Sequence, residues 1–550
     1  MKSAKTTSTP TRHTALLSNR TQVAERVLAV LSVTLFILVL LSFILPLLSA
    51  ISPLAGGMFS PASQNKEGLS VDIPSLLKIT WFTFKEALCS TFIALLLGLP
   101  AAFLVAKKDF LGRRLLIASA SVPLCIPSLI VALGYVGTFG MAGYANELLM
   151  KAFHLSEPPL TFLYSFWGIV ITQGFYNFPL VMATVADSWS ELPPEQAENA
   201  RLLGASEARI FRTITWYQLL PSIVSACIPV FLYCFFSFMI VLLFGATGCT
   251  TLEVAVYHSA RSTLDFKNAA FLALIETTAA FIMVFIYGKI ENSASRSKGI
   301  SFSSEKQKRM KLSKKEMIPF LIFFIIILLF FFAPLASIAI ASLSSWKKLF
   351  SLNGFLPALS TTFTTALATA LLCTVTAFVY ALFLRIKDPF AQHTFLRSIP
   401  LLPMAVSSVV MGLGMTLLVK HGTPTALVFA QAALSWPFAF RQVYTPLAKM
   451  PDSVLDAARI LSPHKLDGVF RVCIPYSTKG LVSAFGFCFA ISAGDATLPL
   501  VLAIPDFDTL ALFTYRLAGS HRFSQASASG LLLGLLCALV FSLSNKLKDR

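Results

Sequence analysis

The chain has 550 residues, of which 56% are hydrophobic and 13% charged, a formal net charge of +18 and a mean hydropathy of +0.75. This is more apolar surface than a soluble core of that size can bury, which excludes the soluble globular class and points to an all-α polytopic membrane protein. The positive charge does not describe a nucleic-acid face, because the basic residues sit in short breaks between apolar runs, where they act as topology signals.

In chain order, an N-terminal tail, 1–26, carries Lys2, Lys5, Arg12, Arg20 and Arg26 and is expected to be cytoplasmic. The apolar stretch Val27 to Ile51 is too long for a cleavable signal core and reads as a retained first helix. Spans are then expected near 27–50, 80–106, 115–138, 164–187, 217–246 and 268–290. A linker rich in Ser, Lys and Arg follows at 291–316, and further spans near 317–342, 359–384, 396–419, 424–447, 474–503 and 524–545. Continuous apolar runs, rather than short alternating ones, disfavour a barrel. Basic clusters at Lys107-Lys108, Arg113-Arg114, Lys306 to Lys315, Arg385 with Lys387 and the tail 546–550 place both termini on the cytoplasmic side of a multi-pass protein. Nine cysteines without a CxxC pair indicate neither a metal site nor a disulfide framework.

The expected 12 helices fall into two parallel six-helix repeats, 27–290 and 317–545, because an even number of spans brings both halves in from the same side. An ungapped offset of 258 pairs Pro179 with Pro437, Pro193 with Pro451, Arg201 with Arg459 and Tyr257 with Tyr515. Further upstream, Pro123 to Gly134 pairs with Pro403 to Gly414 at an offset of 280, so the first half carries 280 − 258 = 22 extra residues before Pro179. That segment, expected on the outer side, is either a seat for an external partner or a loop insertion.

The most informative part of the repeat is polar. After the fourth span of each half comes a proline, then acids and small residues: Glu195, Glu198, Ala200, Arg201 and Gly204 in the loop 192–214, and Asp456, Ala457, Ala458, Arg459 and Ser462 in the loop 450–475. Each reads as a short amphipathic helix with acids at its positive end and apolar residues at helical spacing, Ala197, Ala200 and Leu203 or Leu455, Ala458 and Leu461. Gly204 suits a left-handed helix stop, Ser206 a cap for the next helix, and Pro463 a stop where Ser462 replaces the glycine. One such loop is ordinary in a polytopic protein; two in register argue for paired docking sites.

These loops resemble the EAA loop of permease subunits of ATP-binding cassette importers, Glu-Ala-Ala, three residues, Gly, nine residues, then Ile-x-Leu-Pro. The first copy keeps the acid and glycine, Glu198-Asn199-Ala200 and Gly204, but loses the final Leu-Pro; the second, Asp456-Ala457-Ala458 then Val472-Cys473-Ile474-Pro475, keeps the end and loses the glycine. The resemblance implies that each loop is a coupling helix seated in a separate ATP-binding subunit, present in two copies. It further implies an extracytoplasmic substrate-binding protein, and it leaves ATP to the partner. The chain itself has no G-x-x-x-x-G-K-S/T loop; Gly245 to Thr250 lacks the lysine, so no enzymatic activity and no cofactor are expected.

Fusion of two halves is similar to the thiamine and iron(III) branches of that family. Thr250 to Tyr257 with Ala269 to Ile275, and Gly494-Asp495 with Asp506 to Leu510 and Gly519 to Arg522, resemble thiamine permeases more closely; iron(III) is the alternative. Intramembrane ionisable residues mark pathways. Asp495, whose counterpart 258 residues earlier is Ser237, and Glu276 are the candidates for the path; the alternative for Asp495 is a structural bond at a helix break beside Gly494. Glu253 is expected at an outer span end in a structural role, and Phe235, Phe236 and Phe238 either face a cation or simply pack. An ion-driven secondary carrier is the competing class, predicting intramembrane charges and broken helices but giving no reason for duplicated acidic loops.

Overall fold

The computed structural model describes residues 30, 33–54, 73–245, 248–297, 310–311, 314–387, 396–397, 399–419, 422–461 and 468–549. Among them the fold is helical apart from a two-residue parallel pairing of Lys108–Asp109 with Met310–Lys311. Among the described residues ten helical stretches are long and apolar enough to cross a membrane, one of them, Ser128–Phe153, interrupted at 140–143, and a pair bent by 94°, Ile399–Ala405 with Ser408–Val419, makes an eleventh. The twelfth expected span, 424–447, is a helix of 25 residues, Pro424–Ala448. At 1.5 Å per residue it is about 37 Å long, enough to cross, but Gln431, Ser435, Arg441 and Gln442 make it less apolar than the others.

The first set of helices is α1 Val33–Leu54, α2 Ile73–Lys107, α3 Ser128–Phe139, α4 Tyr144–Phe153, α5 Phe166–Ser190, α6 Pro194–Leu202, α7 Glu207–Phe235, α8 Met239–Phe244, α9 Leu252–Arg261 and α10 Phe266–Ser297. The second is α11 Glu316–Ser342, α12 Phe355–Lys387, α13 Ser408–Val419, α14 Pro424–Ala448, α15 Asp452–Leu461, α16 Val469–Gly494, α17 Thr497–Leu502, α18 Leu510–Gly519 and α19 Phe523–Asp549. The offset of 258 recurs at element ends, as in 424 − 166, 448 − 190, 497 − 239 and 519 − 261. It extends to the π-turns that open α7 and α16, Phe211–Thr215 and Val469–Cys473. Before α5 the offset is 280, from 408 − 128 and 419 − 139, so the 22 extra residues lie between α3 and α5 and include α4. They are held in place by the buried Asn146, whose amide donates to the carbonyls of Gly140 and Leu160, 2.9 Å each, and accepts from Leu160 N–H at 2.8 Å.

The structure departs from the expected spans in three ways. The stretches 217–246 and 474–503 are not continuous: each breaks, at 236–238 and at 495–496, and resumes as the short helices α8 and α17. The stretches 115–138 and 396–419 break at Pro127 and at Ser407, just before α3 and α13; at Pro127 the proline removes a ladder donor and the residue before it leaves the helical region. Finally, α10 continues to Ser297, so the first residues of the expected linker 291–316 are helical; residues 298–309 and 312–313 lie outside the described set.

The two sequence repeats are not two spatial units. Helix α1 packs on the second set, with Phe36 stacked on Tyr380 at 5.0 Å and against Trp436. Helix α11 packs on the first set through Phe330 on Phe139 and Phe331 on Phe178. Both exchanges depend on a glycine at the same repeat position. A Cβ on Gly134 would overlap the Pro334 carbonyl and one on Gly414 the Pro46 carbonyl, so only glycine lets the backbones approach this closely.

Candidate functional site

The four helix breaks converge. Their residues line a cavity of about 270 Å³ and an adjoining one of about 300 Å³, which share Ser128, Tyr176, Tyr233, Phe236, Ser408 and Thr497 among their walls and sit where the two sets of helices meet. Non-helical backbone within a membrane protein is tolerated where it is buried or lines a cavity, and small-molecule sites span about 300–1,000 Å³. The described lining residues include two acids, Glu253 and Asp495, and no Lys, Arg or His. Aromatic walls come from Tyr176, Tyr233, Phe236, Phe238 and Phe438.

Asp495 follows the C-terminus of α16 and caps α17. Its Oδ1 accepts from Thr497 N–H at 2.9 Å and Leu498 N–H at 3.3 Å, and its Oδ2 accepts from Gln431 Nε2 at 3.3 Å. It therefore lines the cavity while also bonding the backbone at the helix break, so both readings of this residue describe its position. Ser237 lines the cavity at the matching break of the first set. Glu276, on α10, is fully buried and does not line the cavity; neither of its carboxyl oxygens is hydrogen-bonded, and Ser407 stands beside it and beside Glu253.

Glu253 is not at an outer span end. The N-terminus of α9 is fixed by Leu252 N–H donating to Thr83 Oγ1 on α2 at 3.0 Å, which sets Glu253 in the cavity wall, 1% exposed, with Oε2 unpartnered. Of the three phenylalanines, Phe236 and Phe238 line the cavity, whereas Phe235 packs on Phe84 and Phe231. Sequence reasoning missed Gln173, Asn177, Tyr176 and Tyr233. One signal was available, since Gln173 and Gln431 are a polar pair at the offset of 258 within otherwise apolar spans.

At the opposite end of α7 and α16 lie the two repeated loops. Helix α6 has no buried residue, and Glu195 and Glu198 are exposed. Ala197 and Ala200 are half-buried, but Leu203 falls beyond the last helical turn and leaves that face. The helix ends in a Schellman motif at Gly204, φ +81°, with Ala205 N–H bonding Ala200 O at 3.0 Å and Gly204 N–H bonding Arg201 O at 2.9 Å. Ser206 precedes the next helical turn as expected, but through its carbonyl and not its side chain. Arg201 Nε and Nη2 bond Glu207 at 2.5 and 3.1 Å, and Gln218 Nε2 bonds Gln196 Oε1 at 2.6 Å, so α6 is fastened to α7.

Helix α15 is fastened differently. Arg385 on α12, 7% exposed, donates to the carbonyls of Leu447 and Met450 at 3.2 and 2.7 Å and to Asp452 Oδ1 at 2.5 Å. Its part in the sequence reading was only that of a topology signal. Asp456 and Ala457 are exposed on α15, the side chains of Ala458 and Arg459 lie outside the described set, and so does Ser462. Both loops end in an apolar pair turned to solvent, Leu202 and Leu203 at 85% and 88% exposed, Ile460 and Leu461 at 82% and 81%. Two adjacent large apolar side chains at this exposure thus recur at the same offset of 258 in both loops.

Residues 94–292 match the family described as binding-protein-dependent transport system inner membrane component. This part of the chain resembles a binding-protein-dependent permease. Among its relatives is the thiamine transport system permease protein ThiP of Haemophilus influenzae, 25% identical over 85% of this chain and 88% of the relative. The proteins of the same name from Escherichia coli and Brucella abortus are also 25% identical, over 86% of this chain and 90% and 88% of theirs. The chain shows broken helices and intramembrane acids, the two features expected of an ion-driven carrier; they follow from building a polar cavity in a bilayer and do not separate the classes.

Proposed function

We propose that this permease forms the inner-membrane path for thiamine, loaded by an extracytoplasmic binding protein and driven by two copies of a separate ATP-binding subunit docked on α6 and α15, with both termini cytoplasmic. The carrying observation is the cavity between the two sets of helices, walled by two carboxyl groups and five aromatic rings and free of basic side chains among its described residues. Thiamine carries a permanent positive charge delocalised on a flat ring. Such a cation is attracted to aromatic faces and to carboxylates in a low-dielectric wall. A bare or hydrated iron(III) ion prefers a cage of hard oxygen ligands, and among the described residues no group of three or more His, Cys, Asp and Glu is arranged for a metal.

The connectivity supports a mechanism. Each docking helix precedes a long helix in the chain, α6 before α7 and α15 before α16, whose far end is a break that lines the cavity. Movement of α6, transmitted through the Arg201–Glu207 pair and the rigid Gly204 turn, shifts α7 and with it Phe236 and Ser237. Movement of α15 shifts α16 and Asp495. Closure of the ATP-binding pair would thus change the cavity from both sides at once. Uptake of labelled thiamine at nanomolar concentration, with and without this chain beside its ATP-binding subunit and binding protein, tests the reading. Uptake that requires the chain and ATP supports it; absence of thiamine uptake while the ATP-binding subunit still co-purifies refutes the substrate and keeps the importer.

A further inference from the structure

The two walls of the cavity are not chemically equivalent, although they derive from one repeat. On the second-set wall, Gln431 is fully engaged. Its Nε2 donates to the Ser492 carbonyl at 3.2 Å and to Asp495 at 3.3 Å, and its Oε1 accepts from the Ser492 hydroxyl at 2.6 Å. Its counterpart on the first-set wall, 431 − 258 = 173, is again glutamine, but the partners at the equivalent positions are Cys234 and Ser237 instead of Ser492 and Asp495. Gln173 is 1% exposed, lines the cavity, and has neither its amide nitrogen nor its amide oxygen hydrogen-bonded. One helical turn on, Asn177 is 2% exposed, lines the same wall and has an unpartnered Oδ1. Glu253 adds an unpartnered Oε2. Buried polar groups are ordinarily satisfied, and leaving several open in one cavity wall is costly unless a ligand satisfies them.

We infer that Gln173, with Asn177 and Glu253, is the substrate-reading wall of the permease, and that it recognises the aminopyrimidine edge of the cargo. The inference rests on the thiamine reading and deepens it. An aminopyrimidine presents a ring nitrogen that accepts and, beside it, an exocyclic amino group that donates. A carboxamide matches this pair with two parallel hydrogen bonds, its N–H to the ring nitrogen and its oxygen to the amino group, the same complementarity by which Asn and Gln read adenine. The second amino hydrogen is left for Asn177 Oδ1 or Glu253 Oε2. Because both ends of the Gln173 amide are open, it can turn to either orientation. The second-set wall, with Gln431 and Asp495 bonded to each other, supplies charge and shape, and offers the unpartnered Ser435 hydroxyl in place of a free amide edge.

The test is Gln173→Leu in the full transporter with its ATP-binding subunit and binding protein. Uptake is measured for thiamine, for oxythiamine, in which the amino group is replaced by oxygen, and for pyrithiamine, which keeps the aminopyrimidine and changes the other ring. Dividing each thiamine-to-oxythiamine ratio by the wild-type ratio removes the selectivity of the binding protein. We expect thiamine and pyrithiamine uptake to fall about tenfold, the loss of a good hydrogen-bond pair, and the normalised ratio to fall with them. Melting temperature should stay level or rise, because Leu replaces polar atoms that have no partner; a structural glutamine would lose stability. A normalised ratio unchanged in Gln173→Leu, or a lowered melting temperature, overturns the inference alone. Wild-type protein that moves no thiamine overturns both it and the substrate reading. Glu253→Gln, which keeps volume and hydrogen bonding, provides a second variant and should lower uptake of both aminopyrimidines without changing melting.

Discussion

The exposed apolar pairs at the ends of α6 and α15 allow a worked prediction about docking. Leu202 and Leu203 are 85% and 88% exposed, so Leu→Ala at both removes groups that contribute little to the fold, and folding stability should move by no more than about 0.5 kcal/mol. If a partner buries both side chains, the three carbons lost from each correspond to at most about 5 kcal/mol at 0.8 kcal/mol per buried carbon. Association realises only part of such a term, because ordering and imperfect desolvation oppose it, which leaves about 2 kcal/mol per loop, or about 30-fold in affinity. Ile460→Ala with Leu461→Ala should cost the same. The two loops are far apart in the chain and fastened to different helices, so the four-fold variant should lose about 30-fold at each of the two sites, and about 1,000-fold for assembly with both copies. Titration of the ATP-binding subunit onto detergent-solubilised permease, paired with a melting curve, measures both quantities. Wild-type affinity in the four-fold variant, or an affinity loss matched by a lowered melting temperature, would refute the docking role.

Three further outcomes follow from the same geometry. Arg385→Met removes a buried guanidinium that holds two carbonyls and Asp452; because Asp452 is exposed, most of the loss falls on the carbonyl bonds, and α15 should show about tenfold or greater acceleration of amide exchange over 452–461. Asp495→Asn keeps an oxygen for Thr497 and Leu498 N–H and should fold normally while slowing uptake, whereas Asp495→Ala leaves those donors buried and should destabilise by about 1–3 kcal/mol. Gly414→Ala and Gly134→Ala should each impair insertion or stability strongly through overlap with the Pro46 and Pro334 carbonyls, whereas Gly204→Ala, with open space around it but φ +81°, should cost only about 1 kcal/mol, as read by melting curves.

The architecture was legible to the extent that it depends on local pattern. Apolar runs located the spanning helices, and the repeat located the two loops, because the acids, small residues and prolines that start and stop a short helix act within a few residues of where they stand. Gly204 was readable for that reason, down to its left-handed backbone. The helix breaks were only partly readable: Pro127 announces one and Gly494 beside Asp495 another, but the breaks at 236–238 and at 406–407 carry neither proline nor glycine. Asp495 was legible as an oddity by comparing the halves, and so was the Gln173–Gln431 pair, though its meaning was not.

What the sequence determined by itself is the membrane class, the duplication and the position of its exposed polar signature, since hydropathy, charge placement and turn chemistry are properties of the chain. What only the tertiary structure decided is the use of each buried polar residue. Gln173 and Gln431 are the same residue at the same repeat position, yet Gln431 is consumed by Ser492 and Asp495, whereas Gln173, in the cavity wall, has a side-chain amide without a hydrogen-bond partner. The exchange of α1 and α11 between the two sets, and the convergence of four breaks on one cavity, likewise arise from contacts between residues hundreds of positions apart. A linear pattern does not encode such contacts, because the energy of a buried polar group depends on its neighbours in space and not on its neighbours in sequence.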